Sequence, residues 1–173
     1  MALCQLGRSA ALSMKDFDPC DEVLIEERLV GLLSRREHSE QELVRKMVQK
    51  GFDADTVRAV TQVLQARGWQ SDQCFSESFV RQRVMQRRGP MRIRADLQQR
   101  GVDQELSASA IDQEGGNWHE LAVETLARKY KAPAGRDPKL LAKRQRFLAS
   151  RGFTLDQINY AIAHTESDEF EWM

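Results

Sequence analysis

A basic residue, a glycine, an apolar residue and an oxygen-bearing residue follow one another three times in this chain. The copies are Lys50-Gly51-Phe52-Asp53, Arg100-Gly101-Val102-Asp103 and Arg151-Gly152-Phe153-Thr154, with the glycines 50 and 51 residues apart. An apolar residue stands four positions before each glycine: Met47, Leu97 and Leu148. Such a period means three copies of one supersecondary unit whose apolar faces are covered largely by neighbouring elements. An array of this kind offers a long surface and no single deep cleft, which argues for a binding protein before any residue suggests an enzyme.

Within each copy the apolar period is helical. In the first, Leu24, Leu29, Leu32 and Leu33 lead to a turn at Glu37-His38-Ser39, then Leu43 and Met47, then Gly51 and a third segment with Val57, Val60, Val63 and Leu64. Ser39 with Glu42 is a capping-box pair, in which hydroxyl and carboxylate each satisfy a helix-start amide. Gly51 sits where a glycine ends a helix in the left-handed conformation, and Asp53 offers the next N-cap. The second copy places Ser71/Asp72 ahead of a helix over 72–88 with Phe75 and Phe79, then Gly89-Pro90 ahead of a helix over 90–100 with Ile93 and Leu97. Pro90 suits the first helical position. The third opens at Asn117/Glu120, passes a loop at 132–138, and continues with a helix over 139–150, Gly152, a Thr154/Gln157 cap and Ile158, Ala161 and Ile162. No stretch alternates as a strand. The expected fold is all-α: three tandem three-helix repeats forming an elongated, curved array. Its parts are a disordered tail 1–21, repeats at 22–68, 69–114 and 115–165, and an acidic tail 166–173.

The net charge of zero hides segregation, because residues 81–101 carry +6 and 128–151 carry +8 while 102–127 carry −6. Blocks of this kind steer charged partners. The three cysteines (Cys4, Cys20, Cys74) form no C-x-x-C pair, which fits a reducing, cytoplasmic setting. No apolar run reaches the length of a membrane span. The short run after Arg8 stops at Lys15-Asp16, so no signal peptide is expected, and Met14 is a possible natural start.

Catalytic motifs are missing: there is no phosphate loop, nucleophile elbow or H-E-x-x-H. His38, His119 and His164 lie in different repeats without ligand spacing, and His38 is expected at a turn or on the surface. Trp69 and Trp118 fall at equivalent junctions and read as packing anchors. On the helix over 72–88, Arg81 and Arg88 share one flank and Arg83 and Arg87 the other, with Glu77 placed to pair with Arg81. Asp96 lies four residues from both Arg92 and Arg100, leaving Arg94 unpaired. Lys139, Lys143 and Arg146 form a basic ridge with no acid between them. Arg144 and Arg151 fall in the apolar sector, where they snorkel or pair. The candidate partner- or DNA-binding residues are therefore Arg81, Arg83, Arg87, Arg88, Arg92, Arg94, Lys139, Lys143 and Arg146.

Several of these motifs together resemble the RecX family. The residues that carry the resemblance are Arg36 to Leu43 with Lys46, Gly68-Trp69 with Asp72 and Phe75, Arg88-Gly89-Pro90 with Arg92-Ile93-Arg94 and Leu97, Arg100-Gly101-Val102, Asn117-Trp118, Arg128-Lys129-Tyr130, and Arg146-Phe147-Leu148 with Arg151-Gly152-Phe153. They span about residues 22–163. Asp96 stands where the family usually has Glu, and Met47 where it usually has Leu. The resemblance implies a regulator of the RecA recombinase that binds the RecA–single-stranded-DNA filament along its groove. It implies suppression of ATP hydrolysis, strand exchange and co-protease activity, with weak DNA binding of the free protein. No cofactor is expected, and the chain is expected to be a monomer. The alternative from the residues alone is a helix-turn-helix regulator reading duplex DNA, although no apolar strip is left over for the dimerisation such proteins use.

Overall fold

In the computed structural model, which describes residues 17–167, nine helices and no strand occur among the described residues. They are α1 (Glu22–Leu33), α2 (Glu40–Val48), α3 (Ala54–Ala66), α4 (Asp72–Met85), α5 (Pro90–Gln98), α6 (Gln104–Glu114), α7 (Trp118–Lys129), α8 (Pro138–Arg151) and α9 (Leu155–Thr165). In each trio the first and third helices lie together and the middle helix packs on the third.

The repeated four-residue signature is a helix stop followed by a helix start. The glycines take φ of 95°, 74° and 89°. The amide of the following apolar residue reaches back to the carbonyl four positions before the glycine: Phe52 to Met47 at 3.2 Å, Val102 to Leu97 at 3.2 Å, Phe153 to Leu148 at 3.3 Å. These are Schellman turns, in which the apolar residues at both ends of that bond meet in the core. Met47, Leu97 and Leu148 are fully buried, and Phe52, Val102 and Phe153 at most 5% exposed. Asp53, Asp103 and Thr154 then cap α3, α6 and α9, the last in a complete capping box with Gln157.

Three separate cores result. Ile25, Leu29, Leu43 and Val57 belong to the first. Phe75, Phe79, Ile93 and Ile111 belong to the second, and Leu126, Leu148, Ile158 and Ala161 to the third. Each large side chain so buried stabilises its own repeat by roughly 1.5–3 kcal/mol.

Some expectations change. The helix expected over 72–88 ends at Met85, because Arg87 takes the glycine's place in a Schellman turn at φ 56° and directs the chain into Gly89-Pro90. The helix expected over 90–100 ends at Gln98, and that expected over 139–150 runs from Pro138 to Arg151. His38 is buried, and Trp69 is 53% exposed where a packing anchor was expected. Trp118 does pack on the second core. Of the expected tail 1–21, residues 1–16 lie outside the described residues, while the Phe17 ring stands edge-on to Phe52 at 4.9 Å and Pro19 accepts from the Asp53 amide. Cys4 and residues 168–173 likewise lie outside them.

Candidate interaction surface

The middle helices meet end to end. At the joint between the second and third repeats, the start of α5 receives the closing turn of α8. The Gly89 amide donates to the Arg151 carbonyl (2.8 Å), and the Met91 amide to the Gly152 carbonyl (3.0 Å). The Arg151 guanidinium returns to the Gln86 carbonyl at 3.2 Å and lies over the Phe147 ring. Electropositive amides at one helix start thus face electronegative carbonyls at the end of the next.

The joint between the first and second repeats uses the same ends with side chains added. The Ser39 hydroxyl donates to the Arg100 carbonyl at 2.7 Å, so the N-cap of α2 binds the closing turn of α5. Glu42, 6% exposed, accepts from Arg100 Nε (3.1 Å) and Arg36 Nη1 (3.2 Å), with His38 Nδ1 at 3.1 Å. Glu42 therefore does not close a capping box with Ser39. Burial pushes its carboxyl up, but the Arg36 charge with hydrogen bonds from His38 and Arg36 outweighs burial and holds it below its ordinary value. Burial and then the Arg36 charge push His38 down, against the pull of its bond to Glu42. Across the same joint, Asp72 accepts from the Glu40 amide at 2.9 Å and Gln70 donates to the His38 carbonyl at 3.0 Å.

Ion pairs divide the nine candidate cations. Arg81 pairs with Glu114 on α6 at 2.9 Å, and not with Glu77. Arg92 pairs with Asp96 at 3.2 Å, and Arg83 approaches the same carboxylate at 3.8 Å while its guanidinium covers Phe79. Arg87 reaches Glu124 of the third repeat at 3.8 Å. Arg100 is not Asp96's side-chain partner: it crosses to Glu42. Arg94, Lys139, Lys143 and Arg146 are exposed and Arg88 half-buried, and none has an acidic partner among the described residues. Four of the nine thus lie against a carboxylate, and five have no acidic partner among the described residues. Sequence reasoning passed over Arg45, exposed and without an acidic partner among the described residues, six residues before Gly51, as Arg146 is before Gly152. The repeat period itself was the signal for it.

Arg144 is 4% exposed; its guanidinium binds Glu166 at 2.6 Å and the Ala132 carbonyl, and lies over Tyr130. His119 meets Asp156 at 2.6 Å on an exposed face where Tyr160 and His164 stack. Two open grooves lie at the first joint. One, of 210 Å³, is lined by Arg36, Glu37, Phe75, Ser78, Phe79 and Gln82. The other, of 300 Å³, is lined by Glu40, Gln41, Val44, Arg58, Asp72 and Gly101. Both are small and open beside the enclosed clefts that hold small ligands. Among the described residues no cluster of three metal-ligating side chains occurs, and no helix is long and apolar enough to cross a membrane.

Known proteins with this architecture share its three parts. The chain matches the RecX first three-helix domain over residues 27–69, the second over 71–111 and the third over 119–162. The regulatory protein RecX of Chromohalobacter salexigens is 44% identical over 135 residues, 78% of this chain and 88% of its own. That of Stenotrophomonas maltophilia is 37% identical over 142 residues, 82% of this chain and 87% of its own. The crystal structure of RecX from Lactobacillus salivarius superposes with a TM-score of 0.71 at 21% identity, over 84% of this chain and 97% of that one, which speaks to the fold.

Proposed function

The chain belongs to the RecX family, and from that premise we propose that it is a negative modulator of the RecA recombinase. It binds the RecA–single-stranded-DNA filament along its groove and suppresses ATP hydrolysis, strand exchange and co-protease activity. It acts in the cytoplasm as a monomer, with weak DNA binding of its own, and by contact rather than by chemistry.

One observation carries this reading: three helical repeats joined end to end through α2, α5 and α8, with exposed cations along them that have no acidic partner among the described residues. Helices of 9 to 14 residues are about 14 to 21 Å long at 1.5 Å per residue, so the array is long enough to touch more than one protomer of a filament. Simultaneous contacts gain affinity through effective concentration without any deep pocket. Holding neighbouring protomers in one relative position slows hydrolysis at their interfaces. The helix-turn-helix alternative is weakened because the turns ahead of α6 and α9 are engaged with α2 and α5.

The test is DNA-stimulated ATP hydrolysis by the cognate RecA, with this protein titrated from substoichiometric to equimolar. Inhibition at low ratios supports filament regulation. No effect at equimolar protein removes the reading, and selection of duplex DNA sites becomes the next experiment.

A further inference from the structure

The third repeat departs from the pattern of the other two at linked points. Eight residues before its glycine, the first repeat has Leu43 and the second Ile93, both fully buried, but the third has Arg144, also buried. The loop ahead of α8, from Tyr130 to Asp137, is longer than the loops that precede α2 and α5. It turns through Gly135 at φ 63°. A buried arginine in a position built for an aliphatic residue is costly unless it is matched by an anion.

The match is Glu166. Its Oε1 accepts from the Ala134 amide (2.8 Å) and Arg144 Nη1 (2.6 Å), and its Oε2 from the Gly135 amide (2.8 Å). Two successive backbone amides and a guanidinium converging on one pair of oxygens make an anion cradle. From these contacts we propose that the cradle is an oxyanion site for a phosphate group, with Glu166 as its built-in stand-in. This rests on the reading that the chain engages a nucleoprotein polyanion.

Three features make Glu166 exchangeable. It caps the C-terminal end of α9, where the helix dipole disfavours a carboxylate. Its amide is tied to the last turn through the carbonyls of Ile162 and His164, and last turns open at little cost. Its side chain is 19% exposed, so the mouth of the cradle meets solvent. A phosphate oxygen pair can take the same three donors, the Ala134 and Gly135 amides and Arg144 Nη1, since guanidinium binds phosphate as well as carboxylate. Arg128, Lys131 and Arg136, exposed and without acidic partners among the described residues, lie within six residues of Ala134 along the chain, and their charge favours a phosphodiester.

The experiment compares the unsubstituted chain with Glu166→Gln, Arg144→Leu and the double variant, each checked for a cooperative melt. Arg144→Leu restores the residue that the first repeat carries and is expected to fold. Binding of a labelled oligothymidylate is followed by anisotropy over a salt series, and inorganic phosphate is added to thermal melts. Glu166→Gln is expected to tighten the oligonucleotide several-fold and steepen the salt slope by about 0.7, one added phosphate contact on a single strand. The gain is expected to vanish when Arg144→Leu is combined with it. Stabilisation by inorganic phosphate without tighter oligonucleotide binding supports the cradle as a site for free oxyanions. Overturning results are a Glu166→Gln variant that melts cooperatively yet changes in neither assay, or a gain that survives Arg144→Leu or is matched by Asp156→Asn. Should Glu166→Gln not fold, the Gly135 amide resonance of the unsubstituted chain decides: a shift on saturation with oligothymidylate or inorganic phosphate supports the site, and none overturns it. RecA ATPase is assayed apart, so failure of filament regulation and failure of the cradle are told apart.

Discussion

The amide of Gly89 lies 2.8 Å from the carbonyl of Arg151, which joins the first turn of α5 to the last turn of α8. This bond needs the backbones to approach so closely that a Cβ on Gly89 would overlap the Gly152 carbonyl and the Phe153 amide. Backbone cannot swing aside as a side chain can. Gly89 sits at φ −78°, an ordinary value, so the need for glycine here is one of space alone. Gly89→Ala is expected to cost about 1–3 kcal/mol by overpacking and to uncouple the third repeat from the second. Urea unfolding followed by probes in each repeat checks this. Two transitions in place of one is the expected outcome for an array whose stability is a sum of repeats and interfaces.

The first joint is held by charge, and so responds to pH. His38 is shifted below 6.5 and Glu42 below 4.5. In both cases the unfolded chain takes up a proton more readily than the folded one. The stabilisation is complete above the unfolded values and is lost as pH falls through the folded ones. The melting temperature is therefore expected to fall on acidification, beginning below pH 6.5. His38→Gln, which keeps a donor for Glu42, is expected to flatten the upper part of that fall and leave the part below pH 4.5. Melting curves across the range decide it.

Arg87 holds the left-handed position that glycine holds in the other Schellman turns, at φ 56°. An L-residue there costs roughly 1–2 kcal/mol of backbone strain. The guanidinium offsets little of that, because its approach to Glu124 is 3.8 Å and Glu124 is largely exposed. Arg87→Gly is expected to stabilise the chain by about 0.5–1 kcal/mol, read as a raised denaturation midpoint with an unchanged slope. A lowered midpoint would mean the ion pair outweighs the strain.

The caps and stops were legible because they are local. Ser39, Gly51 and Asp53 each act within four residues of themselves, and Gln157 closes its box with Thr154 as the spacing requires. The joints were not, because their partners are distant in sequence: 61 residues separate Ser39 from Arg100, and 65 separate Gln86 from Arg151. On a helical wheel Arg100 has Asp96 as its natural neighbour, and nothing in that wheel reveals Glu42 behind it. The same blindness left a surface place open for His38, which does lie in the turn before α2 but is buried, and offered Glu77 as a partner for Arg81. It also left Glu166 in an acidic tail, although it is the acid that Arg144 requires.

Division of the nine cations into paired and unpaired sets gives the last prediction. Lys139, Lys143 and Arg146 stand exposed on α8 with no acidic partner among the described residues, so a phosphate that meets them displaces water and counterions. Arg81 and Arg92 are committed to Glu114 and Asp96, so the same phosphate would first have to break an ion pair. If about four phosphates are met, single-stranded DNA binding weakens roughly fifty-fold between about 50 and 200 mM salt, at about −0.7 per contact. Reversing Lys139, Lys143 and Arg146 to glutamate is expected to abolish most of that salt dependence and to weaken inhibition of RecA. Arg81→Gln with Arg92→Gln is expected to lower stability by at most about 1 kcal/mol, as surface pairs do, and to leave the slope unchanged. Anisotropy titrations at several salt concentrations read both slopes. Equal loss from the two sets would mean that the ion pairs exchange freely with phosphate, and the basic surface would then run across the joint between the second and third repeats instead of along α8 alone.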